Sequence, residues 1–426
     1  SLQKFVKKLF FKDIQEVKNI QEYTQINLLS ELPLELVLDI LSRLSFEELV
    51  QVQLTCQTLY RLAQDNWIWE RRLRILYSSF TDIYAHNSKK LSESLCLPPK
   101  VRYCQAITLA NWRLGLVQRE TWLNMGHNHG EILSIKLREN LLVTLTEDNW
   151  VLLYQYNTDD GFQLQCKWYF GNPYLDNNRV ECLDILPDIQ ILVIAQRGSK
   201  CLFFDINKGP RYHPIQVLKG GNHPWFVPDS IAVNQEYIAV AGRKPSAVFI
   251  WNWRKSNRLS NQAFDDQPRR LFLSGNHLIV FSTDGLLHVF DLLHLNRVIT
   301  HYVGPCNLAS VEYDTPHMIL CPSSAHRIYH FTWPTEAHIR FDKQPKRHLI
   351  CTRPLFSAAS DIVTIALHQD RIATVNQHGQ IALYALNGTT AARVLHFSDV
   401  QLLALGRMGL LYTINNKLCW LDFSCK

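Results

Sequence analysis

The sequence predicts a multidomain chain: a helical N-terminal quarter followed by an all-β, seven-bladed propeller. Three observations carry this. Apolar residues between positions 28 and 75 recur every three to four residues, the spacing of amphipathic helices. From Glu120 the texture changes to short apolar runs separated by turn residues. Those runs repeat at roughly 40–50 residues, the length of a four-stranded propeller blade. The expected segments are an amphipathic helix (1–27), a compact helical module (28–75), a helical linker (76–115) and the propeller (116–426).

Composition limits the classes open to such a chain. At 426 residues it has room for two or three domains. With 47% hydrophobic and 19% charged residues it buries large cores and is not a disordered chain. A net charge of +6 favours anionic partners without calling for nucleic acid. The 11 cysteines are scattered and unpaired in pattern, which reads as reduced thiols in a cytoplasmic or nuclear protein. No apolar run of about 18 residues is present, so no membrane span is expected. No secretory leader is read, and a first residue of Ser suggests a trimmed start.

The first 20 residues alternate Leu2, Phe5, Val6, Leu9, Phe10, Ile14 and Val17 with Lys4, Lys7, Lys8 and Lys12. Such a helix packs on an adjoining domain or a second copy, or lies on a membrane surface. In the next segment Pro33 suits a first helical turn. Leu34, Val37, Leu38, Leu41 and Leu44 then mark one helix face, with Leu36 and Ile40 on a second. Ser45 and Glu48 form an S-x-x-E capping box, and Asp65 caps a third helix, NWIWERRLRIL. About 45 residues cannot cover that much leucine internally. The extra apolar face needs a neighbour, either elsewhere in this chain or in another protein.

The order Leu32-Pro33, Glu35-Leu36, Ile40-Leu41-Ser42, Leu44, Leu49, Cys56, Leu62-Ala63, Trp67 and Trp69 resembles the F-box. That module docks substrate receptors onto the Skp adaptor of cullin-type ubiquitin ligases. One departure is Leu59, where the family often has Trp. The resemblance implies that Leu32, Pro33, Leu36, Ile40, Leu41, Leu44, Leu49, Leu54, Trp67 and Trp69 form the adaptor interface or its support.

The stretch 77–97 is polar and Ser-rich and reads as a loop. Pro98-Pro99 open a helix carrying Val101, Cys104, Ile107 and Ala110 in register, ending in Asn111-Trp112-Arg113-x-Gly115. The N-W-R-x-G pattern resembles the junction between linker helices and propeller in F-box/WD-repeat receptors.

Seven third-strand segments then align: DNWVLLYQY, SKCLFFD, SAVFIWN, GLLHVFD, HRIYHFT, GQIALYA and KLCWLD. Second strands precede them: NLLVTLT, ILVIAQ, YIAVAG, HLIVFS, HMILCP, RIATVN and GLLYTI. Because the last unit stops at its third strand, the segment 119–126 before blade one is the expected donor of its fourth. A closed ring removes exposed sheet edges; a large β-sandwich array is the alternative. The layout resembles WD repeats, although no unit keeps Trp-Asp. Trp251-Asn252, Phe204-Asp205 and Phe290-Asp291 come closest, and Gly-His occurs once, at Gly126-His127.

No P-loop, G-x-G-x-x-G, H-E-x-x-H or G-x-S-x-G is present, so no enzyme activity and no cofactor are expected. His127 and His129 lack a Cys or acidic partner at metal-binding spacing and read as a loop pair. Asp159-Asp160 and Asp265-Asp266 read as turns. The informative charges fall on loops at one end of the blades. These are Arg179 and Arg197 on blade two, Arg243 and Lys244 on blade three, and Arg269 and Arg270 on blade four. Six cations on adjacent blades suit carboxylate or phosphate, with Trp225 and Trp253 as neighbouring apolar contacts.

The resemblance implies a non-catalytic substrate receptor of an SCF-type ligase. Its partners would be a Skp adaptor, through it a cullin, and a protein substrate with acidic or phosphorylated segments. Two alternatives remain: a propeller scaffold with no ligase role, its leucines covered, or a bacterial effector imitating such a receptor in host cytosol.

Overall fold

The computed structural model describes residues 32–79, 97–126, 129–175, 178–322, 328–332, 348–349, 362–386, 393–395, 397 and 399–424. The expected N-terminal helix and His127 lie outside them. The chain divides into two compact units, residues up to Ala106 and residues from Ile107.

The first unit holds α1 (Leu34–Ser42), α2 (Phe46–Gln53), α3 (Gln57–Ala63) and α4 (Asn66–Ser79). It also contains the beginning of α5 (Pro99–Leu114). Pro33 stands just before α1, with φ −54° and ψ 142°, so it aims the chain into the helix without being its first helical residue. Ser45 and Glu48 close the expected capping box: the Ser45 hydroxyl accepts from the Glu48 N–H at 3.1 Å, and Glu48 Oε2 accepts from the Ser45 N–H at 2.8 Å. Asp65 Oδ1 accepts from the Trp67 N–H at 2.8 Å at the start of α4. Val37, Leu41, Leu44, Leu49, Val52, Leu59, Ala63, Ile68 and Trp69 form the core.

Two expectations need correction. Leu34 does not join that core but is 54% exposed, because it lies in the first turn of α1, beyond the helices that cover Val37 and Leu41. Of the segment 77–97, expected as a loop, α4 holds residues 77–79; residues 80–96 lie outside the described ones.

The second unit is a ring of seven four-stranded antiparallel sheets. All seven expected third strands take the third place of a sheet, from Trp150–Asn157 in blade one to Lys417–Asp422 in blade seven. The second strands Leu141–Thr146, Ile191–Gln196 and Arg371–Asn376 are buried at every residue. Neighbouring blades cover both faces, which explains why these strands read as continuous apolar runs and not as alternations. Between blades two and three, for example, Val193, Phe203, Phe226, Phe249 and Trp251 share one core.

Arg119–Trp122 supplies the outer strand of blade seven, pairing Arg119 with Asp422 and Trp122 with Cys419. The expected donor segment therefore closes the ring, and the sandwich alternative falls. Asn111 and Trp112 consolidate that closure. Asn111 Nδ2 donates to the Phe423 carbonyl at 3.0 Å, and Trp112 Nε1 donates to the Tyr384 carbonyl at 3.1 Å. The fully buried Trp112 ring meets Phe423 edge-on, centroids 5.0 Å apart. The α5 register differs from expectation: Ala106, Ala110 and Trp112 are buried while Val101 is exposed.

The missing Trp-Asp dipeptide has a local substitute. Asn157, Asp205 and Asp291 end third strands, and each side chain accepts from the N–H two residues later, closing the turn into the fourth strand. Asn252 does the same with Lys255, three residues on. In these four blades a short side-chain oxygen from Asp or Asn closes the turn.

Candidate functional sites

The residues singled out in the helical module separate into two groups. Leu41, Leu44, Leu49 and Trp69 are buried, and Ile40 is half-buried. Trp69 is structural: its indole N–H donates to the Ala63 carbonyl at 2.9 Å, and its ring lies against Phe46 and Tyr103. Leu32, Pro33, Leu36, Leu54 and Trp67 are exposed, Leu36 at 52%, Leu54 at 76% and Trp67 at 42%. Leu36, Ile40 and Arg43 fall on one side of α1 by helical spacing. Trp67 is brought to that side through Arg71, whose guanidinium lies 5.2 Å from the Trp67 ring and pairs with Asp39. The hydrogen bond from Arg71, with Arg43 adding to it, holds the Asp39 carboxyl below its ordinary value. Sequence reasoning missed Arg72, which is buried and donates to the Leu44 carbonyl at 2.6 Å, capping the chain after α1. A buried arginine in an amphipathic stretch carries no periodic signal.

On the propeller, the loops entering the first strands and the turns between second and third strands emerge at one end of the ring. The six expected cations fall there on three consecutive blades. Arg197 opens a hairpin turn in which Gly198 and Ser199 both take positive φ, 78° and 57°, as a type I′ turn requires. The Arg197 N–H donates to the Arg179 carbonyl at 3.2 Å, and the Gly198 N–H donates to the Phe226 carbonyl at 2.9 Å. Blade two is thereby joined to blade three.

The arrangement contains acids that the sequence reading did not include. Glu181 accepts from Arg197 Nε at 2.5 Å and lies 3.5 Å from Arg179 Nε. Asp229 is shared by Arg243 Nε at 3.5 Å and Arg269 Nη2 at 3.4 Å. Arg270 pairs with Glu312 of blade five. Lys244 is exposed, with no carboxylate within ion-pair distance among the described residues. Asp229 is 10% exposed against 51% for Arg243 and 25% for Arg269, whereas Arg270 and Glu312 are alike at 27% and 23%. Three acids thus hold five of the six cations, and Lys244 stands apart from them. Glu181 and Asp229 each occupy the β-bulge of an innermost strand, between Val180 and Cys182 and between Pro228 and Ser230, where the alternation breaks and no period-two signal marks them.

That channel carries further charge. Arg138 pairs with the buried Asp184 at 3.3 Å, and burial lowers the Lys136 ammonium below its ordinary value. His368 is pushed down to about 4, first by burial and then by the neighbouring Arg371 charge.

Of the two tryptophans proposed as apolar contacts, Trp225 is 79% exposed beside the start of blade three. Trp253 is not a contact. It is buried after the third strand, at the opposite end of the blade, stacked on Phe203 with its N–H donated to the Asn234 carbonyl at 2.8 Å. Among the described residues no cluster of three metal-ligating side chains is present, and no helix is long and apolar enough to cross a membrane.

Residues 29–75 match the F-box-like family model. No curated protein matches the chain. Among solved structures it is similar to the β-propeller domain of Cps50 (Swd1) from Myceliophteria thermophila. That likeness has 12% identity and a TM-score of 0.53, covering 71% of this chain and 99% of that one. It is similar also to the WD40 domain of Pan2 from Neurospora crassa, at 12% identity and a TM-score of 0.54, covering 71% and 95%. The designed protein Ika8 aligns at 11% identity and a TM-score of 0.51, covering 70% and 98%. At such identities the likeness is one of fold.

Proposed function

We propose that this chain, an F-box-like module followed by a WD40-like propeller, is a non-catalytic substrate receptor of an SCF-type ubiquitin ligase in the cytoplasm or nucleus. The module binds a Skp-type adaptor and, through it, a cullin. The propeller end formed by blades two to four captures a protein segment bearing carboxylates or phosphates.

One observation supports this reading above the others. Within the segment that matches the F-box-like family, Leu32, Leu36, Leu54 and Trp67 stand in water around a well-formed core. Each exposed aliphatic or aromatic side chain contributes roughly 1.5–3 kcal/mol when a partner covers it. The scaffold alternative needs these side chains covered within the chain, and their exposure counts against it.

For the propeller, five arginines gathered on three consecutive blades, with the exposed Lys244 beside them, support an anionic ligand. Arg offers bidentate donors matched to carboxylate and phosphate. Here internal carboxylates hold the side chains in place, so little rotamer freedom is lost on binding.

Co-expression with a Skp-type adaptor followed by size-exclusion chromatography tests the first half. The native chain should co-elute with the adaptor, and the Leu32→Ala/Pro33→Ala double variant should not. Undiminished co-elution of that variant would sink the reading.

A further inference from the structure

We infer that blade one carries a separate binding cleft, for a cationic side chain of a partner polypeptide, lysine or arginine. It lies beside the arginine sector and is of opposite charge. The cleft, about 560 Å³, is lined by Gly130, Glu147, Asp148, Trp150, Tyr169, Asn172, Pro173 and Tyr174. Its parts come from the loop entering the first strand, the turn between second and third strands, and the segment leading to blade two. These are the same kinds of loop that carry Arg179 and Arg197.

Two features select a cation. The first is aromatic surface. Trp150 and Tyr169 lie with centroids 4.8 Å apart, and Tyr174 is 76% exposed at the rim. Ring faces attract ammonium and guanidinium groups through their quadrupole, Trp most strongly. The second is charge. Glu131, Glu147 and Asp148 are the ionisable residues of this entry loop and turn apart from His129, and neither Lys nor Arg occurs among residues 129–131 and 147–149. Asp148 is held by the Thr146 hydroxyl, whereas Glu147 is exposed with no side-chain partner among the described residues. Behind Trp150 and Asp148 packs His129, which is not itself part of the lining. The His129 side chain is 5% exposed, packs its ring 5.5 Å from Trp150 with Nδ1 3.8 Å from Asp148, and leaves Nε2 without a hydrogen-bond partner.

The cleft is also built to hold its shape. Asn149, with φ 69° and 1% exposure, accepts from the Val180 N–H at 2.9 Å and donates to the Gly171 and Asn178 carbonyls at 3.2 Å each. One side chain thus fixes the turn that carries Glu147 to the segment that carries Tyr174. Such preorganisation lowers the ordering cost of binding.

The test uses the full chain labelled with 5-fluorotryptophan, the Trp150 resonance being identified by its loss in Trp150→Phe. Nα-acetyl-arginine amide, Nα-acetyl-lysine amide and the neutral isostere Nα-acetyl-norleucine amide are titrated separately at low salt. Either cationic probe should shift the Trp150 resonance saturably, norleucine should not, and Glu147→Gln should weaken the cation about fivefold. Which probe binds more tightly distinguishes arginine from lysine as the natural ligand. An equal response to norleucine, a response that never saturates, or full-strength binding by Glu147→Gln would overturn the inference. Arg179→Glu, which disables the neighbouring arginine sector, should leave the Trp150 response intact, so failure of that sector and failure of this cleft are read apart.

Discussion

The helical module and the arginine-bearing end of the propeller are both incomplete surfaces, but of opposite kinds. The module leaves apolar side chains in water over a finished core, so a partner completes it by covering area. The propeller end presents guanidinium groups that already hold carboxylates, so a partner must compete with acids in place. Covered apolar area mainly supplies affinity. Paired charge supplies selectivity, association rate and sensitivity to salt. If the proposed function holds, the first surface would keep a constant partner tightly and the second would choose and release its own.

The sharpest way to break this contrast is to separate cover from support within the module. Leu36→Ala with Trp67→Ala removes exposed anchors and should cost roughly 2 kcal/mol per residue in adaptor affinity, about a thousandfold together. The thermal midpoint should barely move. Trp69→Ala removes a buried ring and its hydrogen bond to Ala63, so it should instead destabilise the module by about 3–5 kcal/mol. Calorimetry of both variants beside an adaptor titration distinguishes the two. A Leu36/Trp67 variant that melts early, or a Trp69 variant that stays folded, would show that the division by exposure is wrong.

The propeller end should respond to charge alone. Arg179→Glu with Arg270→Glu should weaken capture of a fluorescent pool of phosphoserine peptides about tenfold, and make the remaining binding less dependent on salt. Asp229→Asn should act in the opposite direction. It releases Arg243 and Arg269 from their shared acid and should tighten the same pool about threefold. Anisotropy titrations at two salt concentrations read both. If Asp229→Asn weakens binding, the acid orders the site more than it competes with the ligand.

The two surfaces also differed in how far the sequence revealed them. Short-range chemistry was legible: the Ser45–Glu48 box, the seven third strands and the donor strand at Arg119–Trp122 all depend on neighbours in sequence or on a repeat. So did most of the module, because Leu41, Leu44, Leu49 and Trp69 obey helical spacing. What escaped depends on contacts between remote segments. Asp229 and Arg269 are 40 residues apart, and Arg270 and Glu312 are 42 apart. No local pattern joins them. Trp253 has the composition of a contact residue, and only its place after a third strand shows that it is a core residue at the other end of the blade. The blade-one cleft was hidden for the same reason, since Glu147, Trp150 and Tyr174 meet through a loop fixed by Asn149.

The smallest expected effect concerns pH and tests whether buried charge sets the propeller apart from the module. Burial, and after it the charge of Arg371, lowers His368 to about 4 against an ordinary 6.5. Between those values the unfolded chain binds a proton that the folded chain refuses. Stability from this group is therefore complete above about pH 6.5 and is lost as the pH falls towards 4. His368→Gln removes the titration. The native chain should lose about 2 °C more in propeller melting temperature than the variant between pH 7 and pH 5. The first unit, whose described core holds no histidine, should melt with the same pH slope in both proteins. Parallel propeller slopes would mean that Arg138 and Arg371 already decide the electrostatics of the channel, with His368 neutral at no cost.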